Sequence, residues 1–190
     1  MTKLDINSKD VLLLLIHAKV GNEDVGSIAG RTRVVKLVFL FKNEVLKQFK
    51  SDSPQLEKLK FDPWNFGPFS KQIYDDIEFL SNIGFIHVKA SQEDASIEEA
   101  AEYTYWEDGL KDADEVEEFT QEEFTLTDQG TKYVDSSLVP LLSDNQKEVL
   151  VEFKRAFGQV PLYALLEYVY KKYPEYTTES KIKTRVLGRV

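Results

Sequence analysis

Two short segments of alternating apolar and polar residues, 85–88 and 123–126, are separated by a stretch that could not form a core of its own. Within it, residues 90–123 contain fourteen aspartates and glutamates and a single lysine, which gives a net charge of −13. Alternation is typical of a half-exposed strand, whereas dense like charge with few apolar residues keeps a segment solvated. The sequence therefore predicts two paired strands joined by an acidic insertion of about residues 90–123.

Helical spacing of apolar residues precedes and follows these strands. It extends over 9–20, 31–49 and 71–83 before the insertion, and over 144–157 and 161–174 after it. Three helices followed by a hairpin with a long connection are typical of a winged helix. The predicted fold is mainly α with a small β-hairpin, of the α+β class, with the acidic insertion in the wing.

Two structural units are predicted from this order of elements. Residues 1–138 would form the winged-helix-like core, and residues 139–190 a C-terminal helical extension packed on that core. With 42% apolar residues, a chain of 190 residues can bury a core without covalent cross-links. The absence of cysteine and of a long apolar segment predicts a cytoplasmic protein without a membrane role.

The most distinctive local pattern extends from Trp64 to Tyr74. A Gly-Pro turn lies between aromatic residues, directly before a helix that Ser70 could cap. Packing alone accounts for these residue types, but aromatic side chains left at a surface also bind other proteins well. Together with three basic residues of the second helix, they form a predicted interaction surface of Arg31, Arg33, Lys36, Trp64, Asn65, Phe66, Gly67, Pro68, Phe69, Ser70 and Tyr74.

Four stretches of the chain resemble the YwgA-like proteins and, more distantly, the Panacea or SocA-like antitoxin domain. They are residues 30–39, 64–70, 80–86 and 124–130, with Trp-Asn-Phe-Gly-Pro-Phe-Ser as the second and Phe-Thr-Leu-Thr-Asp-Gln-Gly as the fourth. The resemblance covers roughly residues 8–134. It implies a shared fold and, through the more distant group, an antitoxin-like role.

DNA binding is the usual function of a winged helix, with the third helix in the major groove and the wing on the backbone. Here the solvent face of the third helix would carry one lysine, one amide and three carboxylates: Lys71, Asn82, Asp75, Asp76 and Glu78. Phosphates would be repelled by this helix and by the acidic wing, so nucleic acid is disfavoured as a partner.

Two basic clusters are the alternative nucleic-acid faces. Either could simply be a solvated surface, which is the commoner outcome, or could dock the acidic insertion of the same molecule until a basic partner competes for it. The first cluster consists of Arg31, Arg33 and Lys36, and the second of Lys171, Lys172, Lys181, Lys183 and Arg185.

No group of residues predicts catalysis, a cofactor or a metal site. His17 falls on the apolar face of the first helix, where a hydrogen-bonded core histidine is the commoner outcome. His87 has no serine, cysteine or carboxylate partner at a recognised spacing. The chain also lacks a glycine-rich phosphate loop, a His-x-x-x-His pair and a calcium-binding loop. A non-enzymatic protein is therefore predicted.

The sequence favours a protein-interaction module of antitoxin or adaptor type, whose partner presents a basic surface to the acidic insertion. The alternative is a winged-helix transcriptional regulator that binds DNA through its second helix or through a basic face created by dimerisation. An enzyme whose carboxylates pair only in the folded chain is a third hypothesis. The identity of the partner and the oligomeric state, a homodimer included, stay open.

Overall fold

A computed structural model describes residues 5–21, 26–49, 53–94 and 120–188. These residues confirm a mainly helical α+β fold with a small antiparallel sheet. Most of the predicted acidic insertion, residues 95–119, lies outside the described residues.

Eight α-helices are present in the described ranges. In chain order they are α1 (Ser8–His17), α2 (Arg31–Leu40), α3 (Pro54–Lys58), α4 (Lys71–Asn82), α5 (Asp128–Tyr133), α6 (Asp144–Phe157), α7 (Leu162–Lys172) and α8 (Lys183–Leu187). A π-helical turn follows α2 (Phe41–Val45) and another follows α5 (Val134–Leu138), and short 3-10 helices occupy Val139–Leu141 and Pro174–Thr177. None of the helices described is long and apolar enough to cross a lipid bilayer.

Helix α1 starts one residue earlier than predicted, because Asn7 and not Ser8 caps it. The Asn7 side chain accepts hydrogen bonds from the amides of Lys9 and Asp10, and the Asp10 carboxylate accepts one from the Asn7 amide at 2.9 Å. This reciprocal capping box satisfies backbone donors that a helix start otherwise leaves without a partner. The Ser8 hydroxyl is therefore available for Asp76, to which it donates.

Helix α2 is the central helix of the fold. Eight of its ten residues are buried, which is typical of a helix covered on every side. It is shorter as an α-helix than the predicted 31–49, since the chain continues from Leu40 into the π-helical turn.

The main sheet has three antiparallel strands, and the last of them in chain order lies in the middle. Strands β4 (Ile86–Asp94) and β5 (Thr120–Leu126) pair antiparallel as predicted, with Val88 opposite Phe124. Strand β1 (Ser27–Ala29) was not predicted, and pairs antiparallel with the other side of β5, Ile28 opposite Phe124. Three residues are too few to produce a recognisable period of two.

The C-terminal helices share one hydrophobic core with the rest of the chain. The Phe39 ring of α2 contacts Tyr173 and Tyr176 edge-on, with ring centroids 4.9 Å apart in both pairs. From α6, the buried Lys154 donates to backbone carbonyls at the end of α1, among them that of Ile16 at 3.3 Å. A buried ammonium group thereby satisfies carbonyls that the helix end leaves without an intrahelical partner.

Candidate interaction surface

The pattern around the Gly-Pro turn folds into a small hairpin in front of α4. Strands β2 (Asp62–Trp64) and β3 (Gly67–Phe69) pair antiparallel, with Trp64 opposite Gly67. Gly67 has a φ of +85°, and a Cβ atom there would lie 2.8 Å from a ring carbon of Tyr170. At the turn, the Asn65 carbonyl accepts the backbone amide of Lys181 at 2.9 Å. The hairpin is therefore held in place by the C-terminal segment.

Five residues of the predicted interaction surface lie in the interior instead. Phe66, Gly67, Pro68 and Ser70 are buried, and Lys36 is 1% exposed. The Lys36 ammonium donates to the carbonyl of Pro68 at 3.0 Å. The prediction that these five residues lie at the surface is wrong, because the fold buries them. The hydrogen bond from Lys36 anchors the hairpin to α2.

The basic cluster predicted at the start of α2 does not form an open face. Arg33 donates to the backbone carbonyls of Ala29, at 3.2 Å, and of Val160, at 2.6 Å. Arg31 forms an ion pair with Glu122. Lys36, the third member of the cluster, lies in the core. Each cation therefore has an acceptor within the fold, which leaves little positive charge here for a nucleic acid.

Three aromatic side chains form a row along the surface, which we call the aromatic row: Trp64, Phe69 and Tyr74. The ring centroid of Phe69 lies 6.1 Å from that of Trp64 and 5.4 Å from that of Tyr74. Trp64 is 49% exposed, and the other two are half-buried. The Arg31 guanidinium lies 5.3 Å from the Tyr74 ring centre and is hydrogen-bonded to Glu122 of β5 at 2.9 Å. The row thus reaches the strand that leads out of the acidic insertion.

The solvent face of α4 carries apolar side chains that the sequence analysis did not identify. Phe79, and Ile83 at the C-terminal cap of the helix, are 49% and 39% exposed and lie one turn apart. In the helical repeat they fall outside the buried stripe of Ile73, Ile77 and Leu80. Their exposure could have been predicted from those positions.

The charges on that face are fewer than predicted. Lys71 is paired with Asp75 at 2.8 Å, and Glu78 adds a further negative charge. Asp76, predicted beside them, is 1% exposed. The face is therefore weakly acidic and partly apolar, a combination that suits a protein surface better than phosphate.

The buried Asp76 carboxylate connects α4 to the start of α1. It accepts hydrogen bonds from the Ser8 hydroxyl, from the Lys9 ammonium at 3.1 Å and from the Gln72 amide at 2.9 Å. A buried carboxylate is tolerated only when its oxygens are satisfied in this way. The contact sets the position of α4 relative to the core.

We expect Asp76→Ala to lower the free energy of unfolding by about 3 kcal/mol, because three donors lose a buried or partly buried acceptor. The matched control is Asp75→Ala, which removes the neighbouring exposed carboxylate and is expected to cost about 0.5 kcal/mol or less. Urea unfolding at pH 7 measures both. Equal losses in the two variants would show that the buried network contributes nothing beyond a surface ion pair.

The histidines and carboxylates described do not assemble a metal site: no group of three potential ligands lies close together in the described ranges. His17 Nε2 is hydrogen-bonded to the Asp135 carboxylate at 2.9 Å. Its side chain is partly exposed at the edge of the fold, and not in the core as predicted. His87 is exposed on β4.

The second basic cluster is partly neutralised within the fold. Lys171 pairs with Glu167, and Lys172 with Glu44 at 3.1 Å. Glu44 also accepts a hydrogen bond from the Tyr173 hydroxyl at 3.0 Å. Burial, and then this hydrogen bond, raise the pKa of the Tyr173 phenol. These contacts attach α7 to the π-helical turn after α2 and leave Lys183 and Arg185 exposed on α8.

Comparison of the chain with models of known protein families gives no match, and comparison with curated protein sequences gives none. The resemblance to the YwgA-like proteins stays a prediction from short motifs.

Proposed function

We propose that this protein is a non-enzymatic interaction module of antitoxin or adaptor type, which binds a protein partner through the aromatic row. In this proposal the scaffold is a winged helix, with α1, α2 and α4 as its helices and β4 and β5 as the wing. The observation that carries the proposal is the exposure of Trp64, 49%, at the open end of the row. A half-exposed tryptophan on a hairpin packed against the core is a typical anchor at protein interfaces.

The chemistry proposed for the partner is a segment with apolar and basic side chains. Arg31 connects the Tyr74 end of the aromatic row to Glu122, which belongs to the stretch 90–123 of net charge −13. In this proposal an apolar side chain of the partner binds at the aromatic row, and neighbouring cations of the partner interact with the acidic insertion. Such charge complementarity accelerates association and makes the affinity sensitive to salt.

A regulator that binds DNA is less well supported. The cations at the start of α2 are bonded to carbonyls and to Glu122, and the exposed face of α4 is weakly acidic. Binding of duplex DNA would then require a basic face that two chains form together.

We expect Trp64→Ala to weaken partner binding by at least about thirtyfold, because anchoring aromatic residues contribute about 2 kcal/mol or more. Peptides displayed on phage are selected on the full chain, and the enriched peptides are synthesised and titrated by calorimetry. Basic peptides with an aromatic or aliphatic residue should be enriched. The matched control is Tyr163→Ala, which removes an aromatic residue that is 43% exposed on α7 and should leave the affinity unchanged.

Three results bear on this proposal. Peptides that bind Trp64→Ala and the native chain equally well would exclude the aromatic row as the binding site. A variant with residues 95–119 replaced by a short neutral linker should lose affinity and salt dependence; unchanged affinity would exclude a role for the acidic insertion. Strong, salt-sensitive binding to random duplex DNA in a gel shift, unaffected by Trp64→Ala, would favour the transcriptional regulator.

A further inference from the structure

A polar cavity of about 550 Å³ opens between the starts of α1 and α4, the end of α3 and strand β2. This volume is within the range of small-molecule sites. Among its described lining residues are four lysines and one carboxylate: Lys9, Lys58, Lys60, Lys71 and Asp62. The lysines are contributed by three separate parts of the chain, so folding brings them together and no single helix face accounts for the cluster.

Two of the four lysines keep their charge available. Lys9 pairs with Asp76 at 3.1 Å and Lys71 with Asp75 at 2.8 Å, but neither of these carboxylates lines the cavity. In the part of the chain that is described, Lys58 forms no ion pair, and the same is true of Lys60. The lysines outnumber Asp62, the one carboxylate among the described lining residues, so in a chain of net charge −9 the cavity is a locally positive site for an anion.

The cavity wall also contains a hydroxyl without a described hydrogen-bond partner. Ser70 lines the cavity and is 4% exposed, yet its side chain makes no capping hydrogen bond to α4. No other described residue bonds to that hydroxyl. The hydroxyl can therefore donate a hydrogen bond to an acceptor oxygen inside the cavity.

The start of α4 adds donors on the same side. Its first turn contains no acidic residue, and both Lys71 and Gln72 line the cavity. Backbone amides without a side-chain cap, at the positive end of a helix of twelve residues, favour an anionic ligand. At the start of α1, by contrast, the side chain of Asn7 already accepts the backbone amides of Lys9 and Asp10.

We infer that this cavity binds the phosphate groups of a small phosphorylated molecule. Lys58 and Lys60 supply the available charge, Ser70 donates its hydroxyl, and the first turn of α4 donates backbone amides. Four lysines at the wall of one cavity favour a ligand with more than one phosphate. This site is separate from the aromatic row and does not depend on the proposed function.

The test is calorimetric titration of the full chain with sodium pyrophosphate, and with orthophosphate as a second probe, at constant salt. We expect one saturable site that binds pyrophosphate more tightly. In a double variant, Lys58→Gln with Lys60→Gln, the affinity should fall by at least about tenfold, since two charge-assisted hydrogen bonds are lost. Ser70→Ala should weaken binding by about fivefold.

The matched control is Lys132→Gln with Lys183→Gln, which removes two exposed lysines away from the cavity and should leave the affinity within about twofold. In NMR spectra of the native chain, pyrophosphate should shift the amide signals of Lys71 and Gln72. Absence of saturable binding, or an equal loss of affinity in the control, would overturn the inference in favour of diffuse attraction. Amide shifts confined to another region would overturn it as well.

Discussion

Replacement of Phe39 by alanine is expected to lower the free energy of unfolding by about 4 kcal/mol, as for other fully buried aromatic residues. The side chain is 0% exposed. Its ring makes edge-on contacts with Phe61, Tyr173 and Tyr176, at centroid distances of 5.1, 4.9 and 4.9 Å. Its removal would leave a cavity bordered by three rings that also pack against other elements and so cannot collapse fully into the space.

Urea unfolding followed by circular dichroism measures this loss, with Phe79→Ala as the matched control. Phe79 is 49% exposed, so its truncation should cost less than about 1 kcal/mol. A loss in Phe39→Ala no larger than in the control would contradict the packing between α2 and the C-terminal segment.

The same experiment tests the predicted boundary between residues 1–138 and 139–190. Two of the three ring contacts of Phe39 join α2 to the C-terminal segment, and Lys154 of α6 bonds to the end of α1. Because these contacts belong to one core, we expect a single unfolding transition. A separate early transition of the C-terminal helices would show that the two units are thermodynamically independent.

Elements with strong local signals were predicted well from the sequence. Helix α6 begins after Ser143, whose hydroxyl accepts the Gln146 amide at 3.3 Å, and it ends at Gly158, both as predicted. Strands β4 and β5 pair antiparallel, again as predicted. Caps, helical spacing and alternation are properties of neighbouring residues, so they can be recognised without knowledge of the tertiary structure.

The candidate surface was harder to predict, because tertiary contacts decide which polar side chains are buried. Lys36 and Arg33 were placed at the surface since lysine and arginine are usually exposed. The fold directs them to the carbonyls of Pro68 and Val160, which are 32 and 127 residues distant along the chain. No local pattern reveals which carbonyls will need a donor.

The clustering of lysines at the cavity also depends on tertiary contacts and could not be predicted from the sequence. Its walls come from residues 7–9 at the start of α1 and from residues 55–72, which include the end of α3, β2 and the start of α4. Lys58 and Lys60, two residues apart after a short helix, are a weak signal that also fits a solvated surface. Only the fold brings Lys9, Ser70 and Lys71 beside them.

The second large effect is expected at Gly130, in the first turn of α5. A Cβ atom there would lie 2.0 Å from the carbonyl oxygen of Phe85 and 2.9 Å from its carbonyl carbon. The same oxygen accepts the Thr127 amide at 3.1 Å, and the Thr127 hydroxyl donates to the Gly84 carbonyl at 2.6 Å. Because both sides of this contact are backbone, neither can move without breaking hydrogen bonds.

We expect Gly130→Ala to lower the free energy of unfolding by at least about 4 kcal/mol, above the usual cost of overpacking a core, since a backbone contact must open. Gln129→Ala is the matched control: it changes the neighbouring exposed residue of the same helix and should shift stability by about 0.5 kcal/mol or less. Urea unfolding at pH 7 compares the two variants.

The contact joins α5 to the residue that precedes β4, and so fixes where β4 and β5 leave the core toward the acidic insertion. A Gly130→Ala variant as stable as the control would mean that α5 and the residue before β4 approach each other less closely than the Gly130–Phe85 contact requires.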